Sequence, residues 1–233
     1  MFSSAVTTYW KPESAPEISD DFTVVIDPTL SDSRSVSVLS VADGRRLLTV
    51  TPARAAELAL SPAATVSDEE LARRLAAASL ELNGPDHLFY LPVAQQEALR
   101  LAPVGAQTRP LTDEDAPLFE RFAHEAPEDD LDDAFVELDH WLVFGTILDG
   151  RLVSAASMYP WDGSRLADLG VITLPEFRGR GLGRTTVRAM SALAIERGYE
   201  PQYRCQFDNA SSVALAASAG FALFGDWDVV ATE

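Results

Sequence analysis

The chain has 233 residues and a formal net charge of −18, with 18 basic against 36 acidic side chains. That balance disfavours a polyanion as partner, so nucleic acid is not expected. The apolar share of 47% suffices for a packed core, and no apolar run is long enough to span a bilayer, so a soluble protein without a membrane partner is expected.

Met1 to Asp20 is polar and proline-containing, reads as a loose lead-in, and lacks the basic-then-apolar pattern of a signal peptide. Cys205 is the single cysteine, which excludes an internal disulfide and suggests a reducing, cytoplasmic setting. The three histidines, His87, His124 and His140, are scattered without metal-ligand spacing; no metal is expected, and each reads as a surface or structural residue.

Phe22 to Ile26 predicts a short strand. Val36–Val41 and Leu47–Val50 flank Asp43-Gly44, a hairpin turn signal. Pro52 opens a short helix to Leu60. Ser67, with Glu70 three residues on, forms a capping box for a helix carrying Leu71, Leu75 and Ala78 to about Leu82. Asn83-Gly84-Pro85 stops it. His87–Leu91 reads as a strand and Val93–Leu101 as a helix. Pro103 and Gly105 mark a boundary within 102–107, giving two domains, 1–105 and 106–233. The first is a smaller mixed α/β domain of unassigned role.

Thr112 is an N-cap with Asp115 behind it, and Leu118, Phe119 and Phe122 give the next helix its apolar face. Glu125 to Asp139 holds eight carboxylates and no Lys or Arg, and reads as a solvated linker or as an attractive surface for a cation. His140–Leu148 and Leu152–Tyr159 are strands joined at Asp149-Gly150. Leu166–Leu174 is a buried strand ended by Pro175. Gly179, Gly181 and Gly183 follow, then a helix with Val187, Met190 and Ala194 on one face and Gly198 at its end. Gln202–Phe207 is a strand, Asn209–Ala219 a helix, and Phe221–Val230 a last strand or strand pair.

Strand, glycine loop and helix build an anion site: the backbone can come close to a ligand, and the helix start offers unpaired N–H groups and a favourable dipole. Between 178 and 204 six arginines stand against two acids, so this segment is locally positive in an acidic chain. The loop lacks the Lys-Ser/Thr ending of a nucleotide triphosphate loop. Arg184 stands where a dinucleotide fingerprint has its third glycine. A pyrophosphate cradle fits.

Arg178-x-x-Gly181-x-Gly183 resembles the coenzyme A loop of the GNAT N-acetyltransferase superfamily. Asn209-x-x-Ser212-x-x-Leu215, followed by Gly220-Phe221, resembles a second element of that superfamily. The order of elements from 108 to 230 is that of the GNAT fold, a mixed α/β sheet. The Asp43-Gly44-Arg45 turn echoes Asp149-Gly150-Arg151, hinting that the first half is a degenerate second copy; a lid or a homodimer surface is the other option.

The resemblance implies an acyl-CoA-dependent N-acyltransferase using acetyl-CoA as cosubstrate and a primary amine as acceptor, and the acidic stretch, where such enzymes build the acceptor site, points to a cationic one. The resemblance also implies that Val171, Ile172 and Thr173 hold the pantetheine arm, with a backbone N–H near Thr173 serving the thioester oxygen. The pyrophosphate falls to Arg178, Gly179, Arg180, Gly181, Leu182, Gly183 and Arg184, and the far end of the cofactor to Asn209 and Ser212, which could equally be helix caps.

Amine attack needs a base. Asp168, a carboxylate within an apolar strand, is the first candidate; Glu137 and Asp139 come second. The superfamily's usual acid, a tyrosine after the leucine of the last helix, is replaced by Ala216. Tyr203, Ser212, Ser218 or water could take that role. A catalytically weak acyl-CoA-binding module therefore stays as the alternative.

Overall fold

A computed structural model describes residues 1–15, 17–101 and 105–231. Two compact units divide the chain. One comprises Met1–Tyr9, Phe89–Arg204 and Ala210–Ala222; the other comprises Trp10–Leu88, Cys205–Asn209 and Leu223–Glu233. The units are spatial, whereas the 1–105 and 106–233 division follows chain order. Part of the boundary expected at 102–107, residues 102–104, lies outside the described residues.

In chain order the helices are α1 (Ser4–Trp10), α2 (Pro52–Glu57), α3 (Asp68–Ala77), α4 (Val93–Leu101), α5 (Ala116–Glu125), α6 (Glu128–Ala134), α7 (Leu182–Glu196) and α8 (Ala210–Ala219). The strands are β1 (Phe22–Ile26), β2 (Val36–Val41), β3 (Arg46–Val50), β4 (Thr65–Val66), β5 (Asp86–Tyr90), β6 (Thr108–Pro110), β7 (Leu142–Leu148), β8 (Arg151–Pro160), β9 (Leu166–Thr173), β10 (Glu200–Gln206) and β11 (Ala222–Val229). Short 3₁₀ turns at Pro12–Ser14, Asp32–Arg34, Asp113–Asp115 and Pro175–Phe177 complete the set.

Four expectations change. The lead-in is not loose: α1 forms, with Val6 fully buried. The helix begun at Ser67 stops at Ala77, short of Leu82, because Ser79 turns to a positive φ of 55°. The acidic stretch is not merely a linker, since α6 forms within it. Five of its residues are Asp or Glu, three of them in the first turn, where the helix dipole favours negative charge. The Ser67 side chain accepts the Glu70 N–H at 3.3 Å, but the Glu70 carboxylate turns to Arg74 Nε at 3.0 Å and does not complete the expected box, whereas Thr112 and Asp115 do form one.

In the second unit the strand order is β4-β1-β3-β2-β11. β1 and β3 are parallel, Thr23 facing Leu47, and β2 and β3 form the hairpin. Phe22, Val24, Val36, Leu48, Val50, Leu71 and Leu75 share one core, alternating along the strands and spaced one turn apart on α3. The two Asp-Gly-Arg turns differ. Asp149 and Gly150 both have positive φ (50° and 77°), the pattern of a two-residue hairpin turn, whereas of Asp43 and Gly44 only Gly44 does (93°).

In the first unit the strands run β10-β9-β8-β7-β6, with the end of β5 beside β10. β8 pairs antiparallel with β7 and β9, and β9 pairs parallel with β10. Side chains alternate across β9, so its two faces carry different partners. Gly170 and Ile172 face α6 and the 134–136 segment: Ile172 shares a core with Phe122, Val143, Leu152 and Val136. Thr173 faces α7, where its Oγ1 would lie 2.9 Å from a Cβ at Gly183.

Candidate functional site

β9 and β10 part company midway. Their ladder runs from Glu200 opposite Leu166 to Tyr203 opposite Leu169, and β9 continues through Gly170 to Thr173 beyond it. The Leu174 N–H donates to the Val153 carbonyl at 3.0 Å, and the Ser154 hydroxyl donates to the Ile172 carbonyl at 3.0 Å. The backbone of Ile172 and Leu174 therefore turns toward β8. By alternation, that of Val171 and Thr173 turns toward the side β10 has left. An extended ligand with amide groups can pair there as a substitute strand.

Past Thr173 the chain tightens into the Pro175–Phe177 turn. Gly179 and Gly181 take φ of 73° and 75°, values an L side chain rarely adopts, and Gly181 caps α7. That cap has no side-chain hydrogen bond. The first main-chain bond of the helix is Thr185 N–H to the Gly181 carbonyl at 3.0 Å, so the N–H groups of Gly181 to Arg184 point out of the helix start without helical acceptors. The dipole adds positive potential there.

Gly183 is buried and lets this helix start press against β9; a Cβ would also meet Leu215 of α8 at 3.5 Å. A chain of hydroxyls fixes the first turn of α7: Thr108 to Thr146 at 2.7 Å, Thr146 to Thr186 at 2.7 Å, and the Thr186 hydroxyl donating to the Leu182 carbonyl at 3.0 Å.

The arginines differ in what they do. Arg178 donates from Nε to the Thr173 carbonyl at 3.0 Å and pairs through its guanidinium with Asp130 of α6. Arg180 lies over the Phe177 ring at 5.3 Å. Arg184 folds back over Gly181. Ten of the residues expected to hold the cosubstrate, Val171–Thr173 and Arg178–Arg184, thus fall on one continuous bend. Ser212 lies in the first turn of α8, one turn before Leu215; Asn209 directly precedes that helix.

The two carboxylates expected to act as base sit in opposite settings. Asp168 is 5% exposed. It accepts from Arg204 Nε (3.1 and 3.2 Å) and Nη2 (2.8 Å), from Gln202 Nε2 (2.9 Å) and from the Tyr159 hydroxyl (3.1 Å). Tyr90 donates to the Gln202 carbonyl oxygen, extending the network to β5. Burial, and then the Asp168 charge, push the Tyr159 phenol up to about 12. Trp161 lies against the Arg204 guanidinium at 4.5 Å.

Glu137 is different. Its side chain is 49% exposed and lies 3.5 Å from His140 Nε2, while its N–H donates to the buried Ser157 hydroxyl at 3.2 Å. Ser157 pairs across β8 and β9 with Gly170, the first residue past the ladder. The Glu137 backbone is thus tied to β8 opposite the point where β9 opens. Of the acids considered, Tyr203 is buried between Phe89 and Phe221, and the Ser218 hydroxyl donates to the Leu215 carbonyl at 2.9 Å. Sequence reading missed Ser157, Tyr159 and Arg204 as members of this site and took His140 as merely structural. Their meeting depends on the register of three strands.

Among the described residues no group of three or more His, Cys, Asp or Glu could hold a metal ion, and no helix is long and apolar enough to cross a membrane.

Residues 108–221 match the family model described as "Acetyltransferase (GNAT) family". The chain is 35% identical over 75 residues to the uncharacterized N-acetyltransferase YdfB of Bacillus subtilis (strain 168), covering 32% of this chain and 29% of that protein. The alignment therefore spans less than a third of that relative. An acetyltransferase from the GNAT family of Colwellia psychrerythraea superposes with a TM-score of 0.51 at 16% identity, covering 100% of this chain and 98% of the other. A putative GNAT-family acetyltransferase from Novosphingobium aromaticivorans DSM 12444 gives 0.46 at 23% identity, covering 65% of this chain and 66% of that one. With the parted strands and the open start of α7 already in view, residues 108–221 of this chain belong to the GNAT acetyltransferase family.

Proposed function

We propose that the protein is an acyl-CoA-dependent N-acyltransferase that moves the acetyl group of acetyl-CoA to a primary amine by direct attack. The parting of β9 from β10 beside the start of α7, which no side chain caps, carries this reading. It offers a strand-like surface for a pantetheine arm and an N–H-lined end for a diphosphate.

In the reaction the amine nitrogen forms a bond to the thioester carbon. Negative charge moves onto the carbonyl oxygen, and an N–H on the open side of β9, at Val171 or Thr173, stabilises it. The C–S bond then breaks with its electron pair on sulfur. Before the attack the ammonium gives one proton to a carboxylate, and after it the second nitrogen proton passes through water to the thiolate. Ala216, fully buried, supplies no proton.

We assign the base role to Glu137. Asp168 accepts four donor groups and balances Arg204, so taking a proton there would break an ion pair. Its role is to hold β10 against β9 at the point of parting. The acceptor is cationic until it loses its proton, and α6 with Glu137 gives the site its negative potential. We place the protein in the cytoplasm, since its single cysteine, Cys205, forms no internal disulfide.

Release of free thiol from acetyl-CoA over a panel of amines tests the activity. Coenzyme A binding without thiol release would favour the acyl-CoA-binding module instead. A rise in the acceptor KM with ionic strength tests the cationic acceptor. Filter binding checks that an acidic chain leaves nucleic acid alone, and sizing in solution decides self-association.

A further inference from the structure

We propose that Ser157 and His140 form a relay that positions the Glu137 carboxylate for its work; this rests on the acetyl-transfer reading above. Ser157 is fully buried on β8. Its oxygen accepts the Glu137 N–H at 3.2 Å and lies 2.8 Å from His140 Nδ1. A hydroxyl has one proton to give, and His140 Nδ1 is the acceptor within its reach.

Donation to Nδ1 leaves the ring proton on Nε2. Nε2 is the nitrogen beside Glu137, 3.5 Å from Oε2. The imidazole thus presents a donor to the carboxylate. Glu137 is held through its backbone by Ser157, and its side chain lies 3.5 Å from a ring whose tautomer Ser157 sets.

The ring itself is confined. Phe135 and Tyr159 both stand against it with centroids 5.0 Å away and 5.8 Å from each other, and the His140 side chain is 10% exposed. Phe135 takes a left-handed φ of 47°, uncommon for a bulky residue. Its N–H is held by the Leu131 carbonyl at 3.1 Å, and this bend returns the chain from α6 to β8. Glu137 remains half exposed, open to an incoming amine. No proton passes through His140; Glu137 takes the amine proton. His140 is a positioning residue.

Nitrogen-15 NMR of the full chain reads the tautomer directly, with His140→Gln identifying the signal among three histidines. The Nε2–H pattern is expected in the unliganded protein, and its loss on Ser157→Ala. An Nδ1–H pattern overturns the relay. In turnover, His140→Ala should lower kcat about 10- to 100-fold, the range in which partners that only orient a reacting group act. The KM for acetyl-CoA should stay unchanged. His140→Gln restores a donor toward Glu137 and should recover most of the loss; equal losses in both variants overturn the relay. A wild-type chain that binds coenzyme A yet acetylates no amine removes the transfer reading itself, and with it the relay's purpose, whatever the tautomer.

Discussion

The two faces of β9 make opposite demands on the chain. On the α7 side, Thr173 meets a glycine, no side chain caps the helix start and arginines gather. On the α6 side, Gly170 meets the Ala134 carbonyl, acids gather, and a serine holds the Glu137 backbone with a histidine beside its carboxylate. One strand thus separates a surface for an anion from a surface for a cation. Arg178, bonded to the Thr173 carbonyl and paired with Asp130, ties the two together. In the proposed reaction the strand would order both reactants, with its glycines setting how near each partner approaches.

Removing the base should break this contrast most severely. Glu137→Gln is expected to lower kcat by roughly 10²- to 10⁴-fold, the usual worth of a general base, with acetyl-CoA affinity retained in calorimetry. Asp168→Asn should instead reduce melting temperature along with activity, since it leaves Arg204 unbalanced. If Asp168→Asn left the fold intact and abolished turnover while Glu137→Gln left turnover unchanged, the two roles would have to be exchanged.

Next in size is Gly170→Ala. A Cβ at this position would collide with the Ala134 carbonyl oxygen, so α6 must move. Overpacking of this kind costs about 1–3 kcal/mol, readable in urea unfolding, and acceptor KM should rise more than that for acetyl-CoA. Gly183→Ala probes the other face, where the Cβ would meet Thr173 Oγ1 at 2.9 Å. There the order should reverse, with acetyl-CoA KM rising more.

A smaller effect belongs to Asp115. Hydrogen bonding from Arg109, followed by backbone and side-chain bonds from Thr112, outweighs burial and holds this carboxyl down at about 2. Its folded value is depressed, so its contribution is present above the ordinary carboxylate range and lost as pH falls toward 2. Asp115→Asn should cost about 1 kcal/mol at neutral pH, the scale of a helix cap, and that difference should shrink in acid. The smallest effect is expected of Asp130→Asn. The Arg178 pair is partly exposed and should contribute about 0.2–1 kcal/mol, visible as a small, salt-sensitive fall in melting temperature.

Much of the anion side was legible because it is local. Proline, four glycines and an apolar helix face within 175–198 encode a bend whose geometry depends on few distant residues. The caps at Ser67 and Thr112 were legible for the same reason, since a side chain reaches an N–H three residues away. The lead-in was misread because α1 owes little to local pattern and buries Val6 in tertiary contact. In the acidic stretch charge drew the eye, while Leu131 and Ala134 supplied the apolar contacts that pin α6 down.

The sequence by itself determined that a strand would end at Pro175 and open into a glycine-lined helix start, because φ restrictions and missing donors act within a few residues. Which carboxylate is spent on structure and which stays available was decided only in three dimensions. Asp168 and Arg204 lie 36 residues apart in sequence, and Glu137 and Ser157 lie 20 apart. Strand register brings each pair together, and burial then divides their roles: one carboxylate is neutralised among four donors, the other left half open beside a histidine.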